Sequence, residues 1–160
     1  MKPLTKKQRF KIEETLKDFK CLVPRFNEIK DNPRLVRSFC SRNRNPLWDV
    51  TNIKYFSTGL KSKGVLENPN GEKVSKDHFI QRSLSMKLIF AEITKCPKMS
   101  TNKFIKLISK YGSTIEVLKS EHKRIGLTTR NTQLYNFRVY GELGVEIDGL
   151  DNHLKSIGLV

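Results

Sequence analysis

The sequence predicts a helix-dominated α+β single domain with a small antiparallel β-hairpin. Three observations carry that prediction. Apolar residues recur at helical spacing through most of the chain, for example Phe10, Leu16 and Phe19 with Ile12 nearby. Helix-capping pairs stand at the right places, Thr5 with Gln8 first among them. One run of β-branched and aromatic residues, Val50 to Thr58, and one turn cluster, Asn68-Pro69-Asn70-Gly71, are the strand and hairpin signals.

In order, Thr5 opens a helix that runs to about Lys20, with Lys6, Lys7, Arg9, Lys11, Lys17 and Lys20 crowding its remaining faces. Pro24 and Pro33 bracket a linker or a second small helix. Residues 32–48 carry Arg34, Arg37, Arg42 and Arg44, with Phe39 among them and no acid. Val50–Thr58 reads as a strand. Val65 and Leu66, the Asn-Pro-Asn-Gly turn, then Lys73 and Val74 read as the hairpin. From Phe79 to Ile93 apolar residues fall on several faces, as in a helix central to a fold. Pro97 ends it, and Ser100 or Thr101 caps the next helix, through Phe104, Ile105, Leu107 and Ile108 to Gly112. Ser113 and Glu116 have capping-box spacing, so a further helix is expected with Ile115 and Leu118. Two helices joined at Gly112 would allow a helix-turn-helix. Residues 123–127 read as a short strand, and Thr128 or Thr129 as the cap of a helix bearing Asn131, Leu134, Tyr135, Phe137 and Val139. Val145 and Ile147 alternate before a last short helix with Leu150, Leu154 and Ile157. The organisation expected is a basic helical region, 1–48, followed by an α+β core, 49–160.

Charge narrows the function. The chain has 31 Lys and Arg against 16 Asp and Glu, a net charge of +15. A compact fold carrying that excess repels itself, and a polyanionic partner offsets the repulsion by neutralisation and counterion release. Nucleic acid, double-stranded DNA first, is the expected partner. Arginine suits bidentate phosphate and guanine contacts, so Arg34, Arg37, Arg42 and Arg44, together with Lys6, Lys7 and Arg9 of the first helix, are the candidate binding residues. No apolar run approaches the roughly 18 to 20 residues that span a bilayer, and the first ten residues lack a secretory apolar stretch. An intracellular protein, neither secreted nor bound to membrane, is expected. Cys21, Cys40 and Cys96 stand far apart with no CxxC pair, which argues against a structural zinc site and reads as small buried or half-buried apolar residues. There is no phosphate-binding glycine loop, no GxSxG elbow and no HExxH.

The chemistry-bearing stretch is Asp77-His78-Phe79-Ile80-Gln81-Arg82-Ser83. It resembles the first half of the motif of HNH (ββα-metal, or His-Me finger) endonucleases, including homing and phage-borne members: Asp-His, two apolar residues, a variable residue, then Arg-Ser. The resemblance implies that His78 is a general base for attack of water on a phosphodiester. It implies that Asp77 serves a single divalent metal, Mg²⁺ or Mn²⁺, and that Arg82 contacts a phosphate near the cut. The second half departs from the family, since no Gly-Gly follows Ser83. Its nearest candidate is residues 128–134, with Asn131 completing the metal and catalytic set on the closing helix. His122 is a second candidate ligand, and the helices in between would be an insertion between the two strands. Two other readings stand beside the nuclease. One is a non-catalytic DNA- or RNA-binding protein, in which Asp77 merely caps a helix and Arg82 pairs with a surface acid such as Glu72. The other is an interaction protein that sits on nucleic acid.

Overall fold

The computed structural model describes residues 3–129 and 135–160. Its first helix, α1 (Lys6–Ile29), starts at a full capping box. Thr5 Oγ1 accepts from the Gln8 N–H at 3.2 Å, and the Thr5 N–H donates to Gln8 Oε1 at 2.9 Å. The helix runs nine residues past the expected end at Lys20 and contains Pro24 within it. Burial explains the persistence. Ile12, Leu16, Phe19, Phe26 and Ile29 form one apolar stripe that crosses the proline, and what they bury outweighs the one hydrogen bond that Pro24 cannot donate.

The arginine-rich segment is helical too. Asn32 Oδ1 accepts from the Leu35 N–H and Pro33 fills the first turn of α2 (Pro33–Arg42), followed by α3 (Asn45–Thr51). Phe39 is buried in α2 and belongs to the core, not to a ligand-facing surface. The strand expected at 50–58 is mostly absent. Val50 and Thr51 end α3, a 3-10 turn spans Lys54–Phe56, and β1 covers only Ser57–Lys61.

The expected hairpin does not form. Ser62 Oγ caps a short helix, α4 (Lys63–Glu67), where the first hairpin strand was expected. The second strand exists as β2 (Val74–His78), yet its partner lies much later in the chain. Two helices intervene: α5 (Arg82–Lys95) and α6 (Thr101–Gly112), the latter capped by Ser100. Then comes β3 (Thr114–Leu118) in place of the helix expected from Ser113. The alternation of a fully buried Ile115 and Val117 with a half-buried Glu116 and Leu118 is a strand's period of two, and it prevails over the capping-box spacing. The helix-turn-helix reading falls with it, because Gly112 leads into a strand.

The sheet is mixed, in the order β1-β3-β2. Central β3 runs parallel to β1 and antiparallel to β2, with His78 opposite Thr114, Asp77 opposite Ile115 and Val74 opposite Leu118. Residues 123–127, expected as a strand, lie inside α7 (Lys119–Thr129). A 3-10 turn at Asn136–Val139 and α8 (Leu150–Ser156) complete the chain.

Two apolar clusters result. In one, Phe90 of α5 sits among Phe19, Phe26 and Phe39, with ring centroids 5.0, 5.3 and 5.2 Å away. In the other, Ile115 and Val117 of β3 pack with Phe79, Ile80, Ile125, Val139 and Tyr140. Helix α5 joins the two. Its Met86, Ile89, Phe90 and Ile93 enter the first cluster, and its Leu84 and Leu88 rest on the second. That dual burial is why its sequence is apolar on several faces. Of the cysteines, Cys40 is buried and Cys96 half-buried as expected, whereas Cys21 is exposed. No helix among the described residues is long and apolar enough to cross a membrane.

Candidate active site at the end of β2

Asp77 and His78 are the last two residues of β2, and both are buried, at 2% and 6% exposure. Asp77 is therefore a strand residue and not a helix cap. Helix α5 begins at Arg82, four residues beyond His78, with Gln81 at its cap position. The Gln81 side-chain amide donates to the Thr129 carbonyl and so ties the start of α5 to the end of α7.

Three side chains from distant segments converge on the Asp77 carboxylate. The Tyr140 hydroxyl donates to Oδ2 at 2.6 Å. Asn136 Nδ2 lies 3.3 and 3.4 Å from the two oxygens. His122 Nδ1 lies 3.2 Å from Oδ1. Burial, reinforced by the Asp77 charge and hydrogen bond, holds the Tyr140 hydroxyl well above its usual pKa, so it remains a proton donor to the carboxylate. A backbone bond from the Phe137 N–H to the Phe79 carbonyl, 3.2 Å, fixes the Asn136–Val139 turn against the end of β2.

His122 reaches Asp77 because of where α7 starts. Glu121, in the first turn of that helix, accepts from the Leu118 N–H at 2.8 Å and from Ser62 Oγ at 2.6 Å, both on Oε2. The glycine at position 64 makes room for it, since a Cβ there would stand 2.6 Å from Glu121 Oε1. With Glu121 turned inward to α4, the next residue, His122, falls on the side of α7 facing β2.

The His78 imidazole is held at a pKa of about 4. Burial is the main cause, the neighbouring Arg82 charge adds to it, and Asp77 opposes it only in part. His78 is consequently neutral at neutral pH. Arg82, exposed at the start of α5, is itself held below its usual pKa by burial first and then by Arg44, with Asp77 opposing. Arg44 thus stands close to the site despite lying 33 residues before Asp77 in sequence.

The Asp77 carboxylate and the His122 imidazole are the two side chains here with the separation that neighbouring ligands of a divalent cation have. Two ligands in neighbouring positions of an octahedral ion, each about 2.1 Å from it, are about 3.0 Å apart. Asp77 Oδ1 and His122 Nδ1 have nearly that separation. Asn136 Oδ1, buried and without a hydrogen-bond partner among the described residues, is a further oxygen of the kind such ions take. No cluster of three or more His, Cys, Asp or Glu side chains among the described residues is arranged to hold a metal. Water and substrate oxygens would have to fill the remaining positions.

The structure therefore joins Asp77, His78, His122 and Arg82 and brings Arg44 beside them. Asn131 lies outside the described residues. Arg34, Arg37 and Arg42 are exposed along α2, and Lys6, Lys7 and Arg9 are exposed on the first turns of α1. Arg9 is partly occupied, since it pairs with Glu13 at 3.5 Å and donates to Asn102 at 2.8 Å. Glu72 does not serve as an acid for Arg82. Its oxygens accept from the Ser120 N–H at 2.6 Å and from Ser120 Oγ at 3.0 Å. Tyr140 and Asn136 were not foreseen, and no local signal marks them: each is about 60 residues from Asp77 and follows no motif.

No protein-family model matches the chain, and neither the curated proteins nor the solved structures contain a significant match to it.

Proposed function

We propose that this protein is a metal-dependent endonuclease that hydrolyses DNA phosphodiester bonds. The observation that carries the reading is the path β2–β3–α7. It comprises two antiparallel strands and a helix, with Asp77-His78 ending the first strand and His122 on the helix's first turns, 3.2 Å from Asp77. This order resembles the ββα arrangement of HNH endonucleases, with α5 and α6 lying between the strands.

In this reading a ring nitrogen of His78 takes a proton from the attacking water. Its low pKa keeps that nitrogen deprotonated at every pH near neutrality. The water oxygen forms the new bond to phosphorus as the bond to the leaving deoxyribose oxygen breaks. Asp77 and His122, with Asn136 beside them, would hold a divalent cation, which when bound stabilises charge on the scissile phosphate and the leaving oxygen. Tyr140 and Asn136 orient the carboxylate. Arg82 and Arg44 meet the phosphates beside the cut, and Arg34, Arg37 and Arg42 extend the contact along α2.

Cleavage of plasmid DNA in Mg²⁺ or Mn²⁺ tests the reading. Nicking that EDTA abolishes, and that Asp77→Asn or His122→Ala reduces at least a hundredfold, supports it. Cleavage unaffected by both substitutions contradicts it. A non-catalytic nucleic-acid-binding protein would share the basic surface, but it gives no reason for a buried Asp-His pair facing a second histidine.

A further inference from the structure

A second group of cations surrounds a cavity that His122 also lines. A shallow surface cavity of about 540 Å³ is lined by Glu72, Lys73, Lys119, Ser120, His122 and Lys123. All three lysines are exposed, and none pairs with an acid among the described residues. The one acid in the cavity is already engaged, because both Glu72 oxygens accept from Ser120 at the start of α7. The Lys119 N–H donates to the Lys73 carbonyl at 2.9 Å, which extends the β2–β3 ladder by one step and sets these two lysines side by side. Lys123 follows one turn along α7 from Lys119. Three uncompensated charges carried on a strand end and a helix start make a cationic surface, with His122 as the wall shared with the Asp77 site.

We propose that Lys73, Lys119 and Lys123 form a second phosphate-binding arm for duplex DNA, separate from the arginines of α2. The proposal rests on the nucleic-acid reading above and adds the position of a contact. Lys73 precedes Asp77 by four residues of extended chain, about 13 Å at roughly 3.3 Å per residue. The arm would therefore grip phosphates of the strand on the Val74 side of the site. Arg44 and Arg82 stand at the His78 end of β2, and the lysines would hold the strand at the Val74 end.

The test is the salt dependence of binding to a short fluorescein-labelled DNA duplex of mixed sequence, measured by anisotropy in EDTA so that the duplex stays intact. Wild type is compared with a Lys73→Ala/Lys119→Ala/Lys123→Ala variant. A Lys30→Ala/Lys98→Ala/Lys103→Ala variant, which loses the same charge from the helical layer, is the control. Each phosphate contact contributes about 0.9 to the slope of log K against log salt. The cavity variant is expected to lose about 2 to 3 from that slope, and the control less than about 1. Equal slopes in the two triple variants overturn the second arm while leaving the nuclease reading intact. A wild type that does not bind DNA overturns both.

Discussion

Replacing Tyr140 by Phe removes one oxygen and keeps the ring in its packing. The lost group donates to Asp77 Oδ2 at 2.6 Å, between side chains that are 1% and 2% exposed. A hydrogen bond to a buried charged acceptor is worth about 1.5 to 3 kcal/mol, because the acceptor left behind has no water to replace the donor. Asn136 cannot make good the loss, as its amide already sits at 3.3 and 3.4 Å from the same carboxylate. Tyr140→Phe should therefore lower stability by about 2 kcal/mol and Tm by roughly 4 to 8 °C for a domain of this size. Urea unfolding in EDTA measures the loss, and a cycle with Asp77→Asn assigns it. In the Asp77→Asn background the same change should cost at least about 1 kcal/mol less, since the charge that strengthens the bond is gone. A cost below about 0.5 kcal/mol, or one that is the same in both backgrounds, would refute the view that Tyr140 positions a charged Asp77.

Other perturbations have equally definite outcomes. His78 has a folded pKa of about 4 against an ordinary value of 6.5, so the unfolded chain takes up the proton first as pH falls. The stability linked to His78 is complete above pH 6.5 and is lost down to about pH 4, amounting to about 3 kcal/mol at 1.36 kcal/mol per unit. Urea unfolding across that window should be steeper in pH for wild type than for His78→Gln, and equal pH dependence would show that His78 titrates normally. Phe90→Ala opens a hole among Phe19, Phe26 and Phe39 and should cost about 3 to 5 kcal/mol by urea unfolding. Glu121→Ala strands the Ser62 hydroxyl and the Leu118 N–H, with an expected loss of about 2 kcal/mol. The same variant should weaken Mn²⁺ binding, measured by water proton relaxation, because the start of α7 no longer aims His122 at Asp77.

The legible parts of this fold were those with local causes. The Thr5–Gln8 box, the Ser100 cap and the apolar faces of α5 and α6 are each set within a few residues, and each appears where the chain alone places it. The errors arose where tertiary pairing overrides local chemistry. The Asn-Pro-Asn-Gly turn suggests a hairpin, but Val74–His78 finds its partner 36 residues beyond His78, across two helices. Ser113 and Glu116 have helix-start spacing, yet Ile115 and Val117 earn more burial as the middle of a sheet. Moving that strand from 123–127 to 114–118 makes the residues after it helical, and so places His122 on α7 against Asp77. Asp77 and His78 were visible because they are adjacent in a recognisable pattern. Tyr140 and Asn136 were not, because only the folded chain brings them to the carboxylate.

In the proposed mechanism His78 removes a proton from water at a phosphodiester. Its most direct test is the cleavage rate of mixed-sequence genomic DNA in Mg²⁺ or Mn²⁺, by wild type and by His78→Ala, with DNA binding measured on both. Wild type should cleave, the variant should lose at least about a hundredfold, as for a general base, and binding should be retained within a few-fold. Cleavage at the wild-type rate by His78→Ala, or a wild type that binds DNA with salt-sensitive affinity and leaves it uncut, would contradict it.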